Sequence, residues 1–599
     1  MTDEDKDRAR DRDRPETAER EDEEQGRDAL VEEDEQAPLS ETEPAPSALA
    51  TAPLEAAPDG GDGGRRPFLA SIGLERWDIT CMLVLLAVAF FFRFFSPLMP
   101  TWFEHPFQGA PITNCVKDTP INAQNQLGTL CGLAYPYQRN YAATGQPATP
   151  PNGEVFDEIY FGVDGHDDLL GISYFDPEPP VAKYLIAGGE WTYGMWRKIT
   201  EGLSGSPANL GFNTLGWRLA PCIFGSLCIP LMYLFAIQLW RNRWFAVSAA
   251  TLSCFDGLFF IESRVAVIDV FPIFFIILSY ALFLIHLKSK TPRMSIVTLI
   301  LTGVALGLGV ASKWIDLAAL ASIVFFLIAR PLVRDVEIRI GNWTWGPLGD
   351  GARIPGNVSS RVYTQLLGLS LILIPAAIYL LSWVPWFFFT GPYAFHSIHD
   401  LVQYNYWMYQ YQATLKATHP YSSKWYTWPF LIRPVAYYYE SIALGYGTNG
   451  QKLVGGMVDL GNPVIWWASI PAMLWLLYST IKDRSWPGLV IWVGFVTQYL
   501  PFAHVTRILF LYHMFGGLIF MILGLSYVLA KINASQTAII ESRGGERRLV
   551  WIPWVVPAFL TLAIVTFLFF YPVWTALPIS QEAYLGGFPF GKMWLQSWI

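Results

Sequence analysis

Val267–Leu287, VIDVFPIFFIILSYALFLIHL, decides the fold class of this chain. Apart from Asp269 near its start, the stretch contains no Asp, Glu, Lys or Arg. As a helix it is long enough to cross the hydrocarbon core of a bilayer. Similar windows recur along the chain, so we predict an all-α polytopic membrane protein with about eleven transmembrane helices. The predicted spans are 77–97, 217–239, 244–262, 267–287, 295–312, 314–331, 364–388, 463–481, 487–503, 508–530 and 551–573.

The composition agrees with a membrane protein whose acidity is confined to one end. Hydrophobic residues make up 52% of the chain and charged residues only 15%. The first 66 residues hold 22 acidic against 9 basic residues, which leaves the rest of the chain at a net charge of +4. With few large apolar residues, 1–66 is predicted to be a disordered tail, and 67–599 to be the membrane domain.

Lys and Arg in the short loops set the predicted orientation. With the N-terminus in the cytoplasm, the inner loops carry most of these residues, as the positive-inside rule requires. Two long loops, about 98–216 and 389–462, then lie outside. Val181–Trp196 and Ile398–Ala417 are predicted to be amphipathic helices resting on the membrane in these loops. No internal repeat is visible, which argues against transporter folds built on repeats.

Two cysteines share the first predicted outer loop. Cys115 and Cys131 lie in an irregular, polar segment of that loop, inside a long insert at 107–153. An external compartment permits a disulfide between them. We predict the bridge, with two free thiols as the alternative.

A second stretch, Val155–Leu185, VFDEIYFGVDGHDDLLGISYFDPEPPVAKYL, carries the densest charge in the outer loops. Its carboxylates include Asp157, Glu158, Asp176 and Glu178, and Lys183 follows them. Ionisable residues so close to a membrane indicate a site at the bilayer surface. The alternative is a solvated acidic loop.

Several other ionisable residues fall at or near the outer ends of the predicted spans, on the same side as Asp157. Taken singly, each is explained by an ion pair or by a long side chain reaching for water. So many on one face favour a shared polar cavity, because charge inside a bilayer is costly unless it is paired or hydrated. These residues are Arg93, Glu262, Arg264, Asp269, Lys313, Asp316, Arg507 and His513.

Such a cavity suits transfer of a group from a lipid-linked phosphate. Arg and Lys can hold a phosphate that leaves with negative charge. A carboxylate can accept the proton of an attacking hydroxyl. The sequence contains no P-loop, dinucleotide fingerprint or zinc motif, so soluble nucleotide donors are unsupported. We predict no metal ligands, although a carboxylate cluster leaves the need for a divalent cation open.

The motifs resemble those of the protein O-mannosyltransferases, which are C-superfamily membrane glycosyltransferases with eleven spans. The similarity begins at Phe156-Asp157-Glu158 and at Phe175–Pro180 with Lys183. It continues through Ser263-Arg264, Ser312-Lys313-Trp314, Thr418–Ser423, Arg433-Pro434-Val435 and the Arg507–His513 segment.

The resemblance implies transfer of mannose from a polyprenyl-phosphate carrier to Ser or Thr hydroxyls, with inversion. Asp157 then corresponds to the catalytic base and Glu158 to its companion. Neighbours in an extended segment point to opposite sides, so we expect only one of them to face the reacting carbon. Arg264 corresponds to the family's essential arginine. The residues assigned to the donor phosphate or substrate are Arg264, Arg93, Lys183, Asp176, Glu178, Lys313, His419, Arg507 and His513.

Two departures qualify the resemblance. Glu178 stands where the family usually has His, and the loop 389–462 is too short for the folded sugar-binding-like domain of eukaryotic members. These departures predict a bacterial plasma-membrane enzyme whose site lies on the periplasmic or external face. The expected partners are the lipid carrier and secreted or membrane acceptor proteins, with the export machinery as one route of delivery and no nucleic acid.

Two other functions stay open at this point. A transferase could use the same lipid-phosphate sugar donor on a lipid or cell-wall glycan. A transporter is less favoured, because the charges crowd one membrane face.

Overall fold

The computed structural model describes residues 72–94, 156–212, 214–340, 354–440, 446–447, 450–542 and 554–599. The predicted tail 1–66, the insert 107–153 and both cysteines of the predicted disulfide, Cys115 and Cys131, lie outside these ranges. The helices are α1 (Arg76–Phe94), α2 (Glu158–Leu170), α3 (Val181–Thr200), α4 (Pro207–Gly211), α5 (Thr214–Leu239), α6 (Arg243–Cys254), α7 (Gly257–Glu262), α8 (Val270–Leu287), α9 (Pro292–Val310), α10 (Leu317–Ile340), α11 (Ser360–Phe387), α12 (Ile398–Thr414), α13 (Pro463–Asp483), α14 (Trp486–Tyr499), α15 (Phe515–Ser542), α16 (Val555–Thr575) and α17 (Gln581–Leu585).

Each of the eleven predicted spans falls on helix, and the mostly helical fold class is confirmed. Within the described residues, eight helices are both long and apolar enough to cross a membrane. The remaining three predicted spans correspond to α6, to the shorter apolar helix Trp314–Ile328 and to α14. Where Lys313 interrupts the apolar pattern, α9 ends at Val310 and a 3₁₀ turn, Trp314–Asp316, leads into α10.

The predicted span 244–262 is not continuous, which corrects the sequence analysis. α6 ends at Cys254, and Asp256 caps the short α7 by accepting a hydrogen bond from the Phe259 N–H at 3.1 Å. The other oxygen of Asp256 accepts from the backbone N–H of Asn462 and from the Trp466 indole, at 3.0 and 2.8 Å. These three donors stabilise a buried carboxylate at the break.

A small antiparallel sheet is an addition that the sequence analysis did not predict. It contains β1 (Val435–Glu440), β2 (Leu453–Asp459) and β3 (Ile579–Ser580), in the order β1-β2-β3. Val435 pairs with Asp459 at one end of the β1–β2 ladder, and Val454 pairs with Ile579 between β2 and β3. The aromatic and β-branched residues of VAYYYE suit a half-buried strand.

α8 lies at the centre of the bundle and positions the polar end of the molecule. It packs against α5 and α9, and most of its side chains are buried. Asp269 directly precedes α8, and Lys313 follows α9, so the antiparallel packing of the two helices brings these residues together. The Lys313 ammonium donates to Asp269 Oδ1 at 2.7 Å.

The two predicted amphipathic segments are helical. Val181–Trp196 lies within α3, and Ile398–Ala417 corresponds to α12. α3 buries the face that carries Lys183, Ile186 and Glu190. α12 leaves Ile398, Val402, Tyr406 and Tyr409 exposed, a mixture that matches an interfacial helix.

Candidate active site

The segment between α2 and α3 is held in one conformation by charge and backbone hydrogen bonds. Asp176 Oδ1 accepts from the Lys183 ammonium at 2.8 Å and from the Glu178 N–H at 2.7 Å. Lys183 also donates to the Glu178 carbonyl at 2.7 Å, and its side chain is 1% exposed. Lys183 and Asp176 therefore fix the turn that presents the Glu178 side chain to the cavity.

Asp157 is positioned by its neighbours rather than by bonds to its carboxylate. Phe156 has a positive φ of 52°, and its ring stacks on Tyr437 with a centroid distance of 4.3 Å. Asp157 is the N-cap residue of α2 and makes no side-chain cap. In the described part of the chain, no hydrogen bond engages its carboxylate, which lines a cavity of about 210 Å³.

Charged and polar side chains converge on this cavity from five segments, one of which is α12, the helix that carries Gln412. Asp157 and Glu178 come from the first long loop, Asp269 and Lys313 from the ends of α8 and α9, and Arg507 from the segment before α15. Aromatic residues fill most of the remaining wall. The residues that contribute ionisable or amide groups are Asp157, Asp176, Glu178, Asp269, Lys313, Gln412, Arg507 and His513.

The surroundings of Asp157 favour its protonated form more than water does. Burial raises the pKa of the Asp157 carboxyl to about 7, and the Asp269 carboxylate adds to the rise. The Lys313 ammonium acts in the opposite direction. Burial also raises the pKa of Glu178, again against the effect of Lys313. A carboxylate with a pKa near 7 is well matched to accepting a proton at neutral pH.

A second cavity of about 560 Å³ adjoins the first and is mainly apolar. Its walls include Pro272 and Ile273 of α8, Ala318 of α10, Phe502 from the turn after α14, and Phe515 of α15. The residues common to the two cavities are Glu178, Asp269, Lys313, Gln412, Arg507, Tyr512 and His513. The charged residues therefore stand at the junction between a polar chamber and an apolar one.

Arg507 is the cation at this junction that has no carboxylate partner within the described residues. Its Nη1 atom donates only a long bond, 3.4 Å, to the Ile508 carbonyl. Lys313, by contrast, is paired with Asp269, and both side chains are 15% exposed. An anion entering the junction would meet the Arg507 guanidinium and one ammonium that is shared with Asp269.

Glu158 occupies a different environment from Asp157. Both of its oxygens accept from the Arg218 guanidinium, at 2.5 and 2.6 Å, and Oε1 also accepts from the Ala266 N–H at 2.8 Å. Glu158 and Arg218 are 0% and 1% exposed. The expected separation of the two carboxylates is observed, but not for the expected reason, because the residues begin a helix instead of an extended segment.

Arg264 and Arg93 lie outside both cavities. Arg264 is buried, and its guanidinium lies 4.7 Å from the centroid of the Phe260 ring. Arg93 packs on the same ring at 5.7 Å and donates from Nε to the Ser263 hydroxyl at 2.7 Å. Arg264 is thus buried within the segment that joins α7 to α8, and Arg93 of α1 packs against the same segment.

The two predicted histidines also separate. His513 lines both cavities, and its Nδ1 atom lies 3.3 Å from the Phe510 N and 3.2 Å from the Phe510 carbonyl oxygen, so it bonds one or the other according to its tautomer. His419 lies one layer farther out, where its ring packs edge-on against Phe510 with centroids 5.1 Å apart. Burial lowers the pKa of His419.

Three cavity residues whose side chains make hydrogen bonds were not assigned a role from sequence. Asp269 was noted only as a charge at a helix end, while Gln412 and Tyr437 carried no signal. The Gln412 amide donates to Glu178 Oε1 at 3.2 Å, and the Tyr437 hydroxyl donates to Glu262. Within the described ranges, no three His, Cys, Asp or Glu side chains are grouped so as to hold a metal ion.

The fold and the site together define a class: a polytopic helical membrane protein with an ionisable site at one end of its helical bundle. A family model described as dolichyl-phosphate-mannose-protein mannosyltransferase matches residues 148–390. A second model, the C-terminal four-transmembrane region of protein-O-mannosyltransferase, matches residues 397–598. The chain belongs to the protein O-mannosyltransferase family.

Individual relatives and one solved structure agree with this assignment. A polyprenol-phosphate-mannose–protein mannosyltransferase of Mycolicibacterium smegmatis is 27% identical over 74% of this chain and 87% of its own length. One from Mycobacterium tuberculosis is 27% identical over 70% of this chain and 80% of its own length. The Saccharomyces cerevisiae Pmt1-Pmt2 complex bound to the sugar donor shares the fold, with a TM-score of 0.60 and 15% identity over 89% of this chain and 94% of the matched chain.

Proposed function

We propose that this protein transfers mannose from a polyprenyl-phosphate-mannose donor to Ser or Thr hydroxyls of proteins, with inversion at the sugar carbon. The observation that carries the proposal is the junction of the two cavities. Arg507, which has no carboxylate partner within the described residues, lies between the apolar chamber and the polar chamber that Asp157 lines. That order matches the order of groups in the donor: prenyl chain, phosphate, sugar.

The donor phosphate lies between Arg507 and Lys313 in this proposal. Arg507 supplies a guanidinium fork that suits two phosphate oxygens, and Lys313 supplies a point charge. The prenyl chain extends into the apolar cavity beside α8 and α10. As the bond between the sugar carbon and the phosphate oxygen breaks, its electron pair leaves on the phosphate, and the two cations stabilise the added charge.

Asp157 acts as the general base. The Ser or Thr oxygen attacks the sugar carbon from the side opposite the phosphate, which inverts the configuration there. The hydroxyl proton passes to the Asp157 carboxylate as the new bond forms. The products are a mannosylated protein and a polyprenyl phosphate, and Asp157 returns its proton to water.

Glu158 and the buried arginines support the base. Glu158 ties the first turn of α2 to Arg218 on α5 and to the backbone at Ala266, which fixes Asp157 one residue earlier. Arg264 lies two residues before Ala266. We therefore propose that Glu158 and Arg264 are positioning residues, while the assignment of Arg264 to the donor phosphate stays a prediction.

The active site faces the periplasm or the exterior, and the N-terminus the cytoplasm, by the Lys and Arg bias of the loops. Single cysteines at positions 353 and 419 can be labelled in intact bacterial cells with a membrane-impermeant maleimide. Labelling at 419 but not at 353 is expected. The reverse pattern would invert the topology.

Product analysis tests the activity itself. The purified full chain is incubated with polyprenyl-phosphate-mannose and a peptide rich in Ser and Thr, and the product is examined by mass spectrometry and NMR. An α-mannosyl peptide from a β-linked donor is expected. Transfer to a membrane lipid or glycan with none to peptide would favour the alternative acceptor, and no mannose release to any acceptor would contradict the proposed function.

A further inference from the structure

A second charged cavity lies at the opposite end of the helix bundle from the candidate active site. It has a volume of about 230 Å³ and is lined at the ends of α1, α5, α8 and α9. Lys288 follows the C-terminus of α8, whereas Asp269 of the active site precedes its N-terminus. Since α8 has 18 residues, the two sites are separated by about 27 Å, close to the thickness of the hydrocarbon core.

Three cations converge on this cavity: Arg241, Lys288 and Lys290. Within the described residues, none of them has a carboxylate at salt-bridge distance. Arg243, only two positions from Arg241, is different, because it pairs with both Glu75 and Asp78. The positive charge of the cavity is therefore not neutralised by the acidic side chains that are available nearby.

Neutral carbonyl groups hold two of these cations in place. The Arg241 Nη2 atom donates to the Gly73 carbonyl at 2.9 Å, and the Lys288 ammonium donates to the Gln238 carbonyl. Gly73 has a φ of +77°, and a Cβ at that position would lie 3.1 Å from the Arg241 guanidinium. The backbone is thus shaped to admit Arg241, and the charges are positioned before any ligand arrives.

The environment of the Lys288 ammonium in this cavity disfavours its charged form. Desolvation of its hydrogen-bonded ammonium and the nearby Arg241 charge lower the pKa of Lys288 to about 8, although the residue as a whole is exposed. A bound anion would favour the charged form of Lys288 and offset the repulsion from Arg241. The rest of the lining is mainly apolar and includes Ile72, Ile237, Ile285 and Met294.

We propose that this cavity binds the phosphate headgroup of an anionic phospholipid in the leaflet opposite the active site. Basic pockets between the ends of transmembrane helices are suited to such headgroups. Arg241 and Lys288 contact the phosphate, and the apolar residues contact the adjoining glycerol and acyl carbons. A free phosphate ion would use the cations but not the apolar wall.

Native mass spectrometry of the purified full chain tests the site. The protein is exposed to equimolar phosphatidylglycerol and phosphatidylcholine, and retained lipid is quantified for three proteins. The first is the unchanged chain, and the second is Arg241→Gln/Lys288→Gln. The third, Lys482→Gln/Lys531→Gln, loses the same charge at the same end of the bundle but outside the cavity.

The unchanged chain is expected to retain phosphatidylglycerol in preference to phosphatidylcholine. The cavity variant should lose this retention by about tenfold or more, and the control should stay within about twofold. Equal retention by both variants would overturn the proposal, as would displacement of the lipid by inorganic phosphate, which indicates a free-anion site. Size-exclusion profiles and mannosyl transfer confirm folding, and Lys288→Gln alone replaces the double variant if that variant misfolds.

Discussion

Asp157 and Glu158 are adjacent in sequence, yet they belong to two different regions of the molecule. Asp157 opens into the cavity, and no hydrogen bond from the described residues engages its carboxylate. Glu158 is fully buried, and Arg218 and the Ala266 N–H satisfy its oxygens. Two adjacent acids can therefore have different roles. Asp157 can accept a proton, while Glu158 fixes the backbone that carries Asp157.

The cations also fall into two groups, one that lines the cavities and one that is buried in the helix bundle. Lys313 and Arg507 line the cavities, whereas Arg93, Arg218 and Arg264 are buried in the bundle behind them. Charge in a low-dielectric interior is stabilising only when it is well paired. The buried region therefore governs stability and geometry, and the cavity governs donor binding and turnover.

The largest expected effect is a difference in the free energy of unfolding between variants of the buried region and variants of the cavity. Glu158→Gln removes the carboxylate that accepts from two atoms of Arg218, and loss of one partner of a buried pair typically costs about 3–5 kcal/mol. Asp157→Asn removes no such pair and should leave the free energy of unfolding nearly unchanged. Thermal unfolding in the same detergent compares them. A larger loss of stability in Asp157→Asn would break the comparison.

Donor affinity separates the cations, with an expected effect of about ten- to a hundredfold. Arg507→Gln removes charge-assisted hydrogen bonds to phosphate, each worth about 1.5–3 kcal/mol. Arg264→Lys keeps the charge but loses the guanidinium packing on Phe260, so it should lower stability more than affinity. Binding of polyprenyl-phosphate-mannose is measured for both variants. An equal loss of affinity in Arg264→Lys would return Arg264 to the phosphate site.

A smaller effect, about one pH unit or less, concerns the base. The carboxylate is active only when deprotonated, so kcat/KM should fall as the pH drops below about 7, the raised pKa of Asp157. Asp269→Asn removes a neighbouring negative charge, so the acidic limb of the pH–rate profile should move to lower pH. Lys313→Gln removes a positive charge and should move it to higher pH.

The pH–rate profile at subsaturating acceptor, with donor held constant, measures the position of the limb rather than its height. Thr497→Ala, on the wall of the apolar cavity and without charge, is a matched control that should not shift it. Shifts of the same sign in Asp269→Asn and Lys313→Gln would remove Asp157 as the titrating group.

Much of the fold followed from hydropathy. The apolar windows predicted where helices lie, because a bilayer demands long uncharged segments. The break at Asp256 was missed because its stabilising partners, Asn462 and Trp466, are some 200 positions away. The β1–β2 pairing was missed because the sequence analysis assigned no secondary structure to the part of this loop that follows Ala417, where both strands lie.

The site was predictable only in part. A dense acidic loop and cations at helix ends indicated a polar cavity, and the resemblance supplied the role of Asp157. Which cations reach the cavity depends on side-chain direction and helix packing, so Arg264 and Arg507 could not be distinguished from sequence. Gln412 and Tyr437 have no charge pattern, and only the tertiary structure brings them to the site.

The most direct test of the account measures turnover in Asp157→Asn and Glu158→Gln at saturating donor and acceptor peptide, with donor binding measured on the same preparations. Asn has nearly the size of Asp but cannot accept the proton. We expect Asp157→Asn to bind the donor normally and to lose kcat by about 10²- to 10⁴-fold. The folded fraction of Glu158→Gln should lose less. Near-normal turnover in Asp157→Asn would contradict the assignment of Asp157 as the general base.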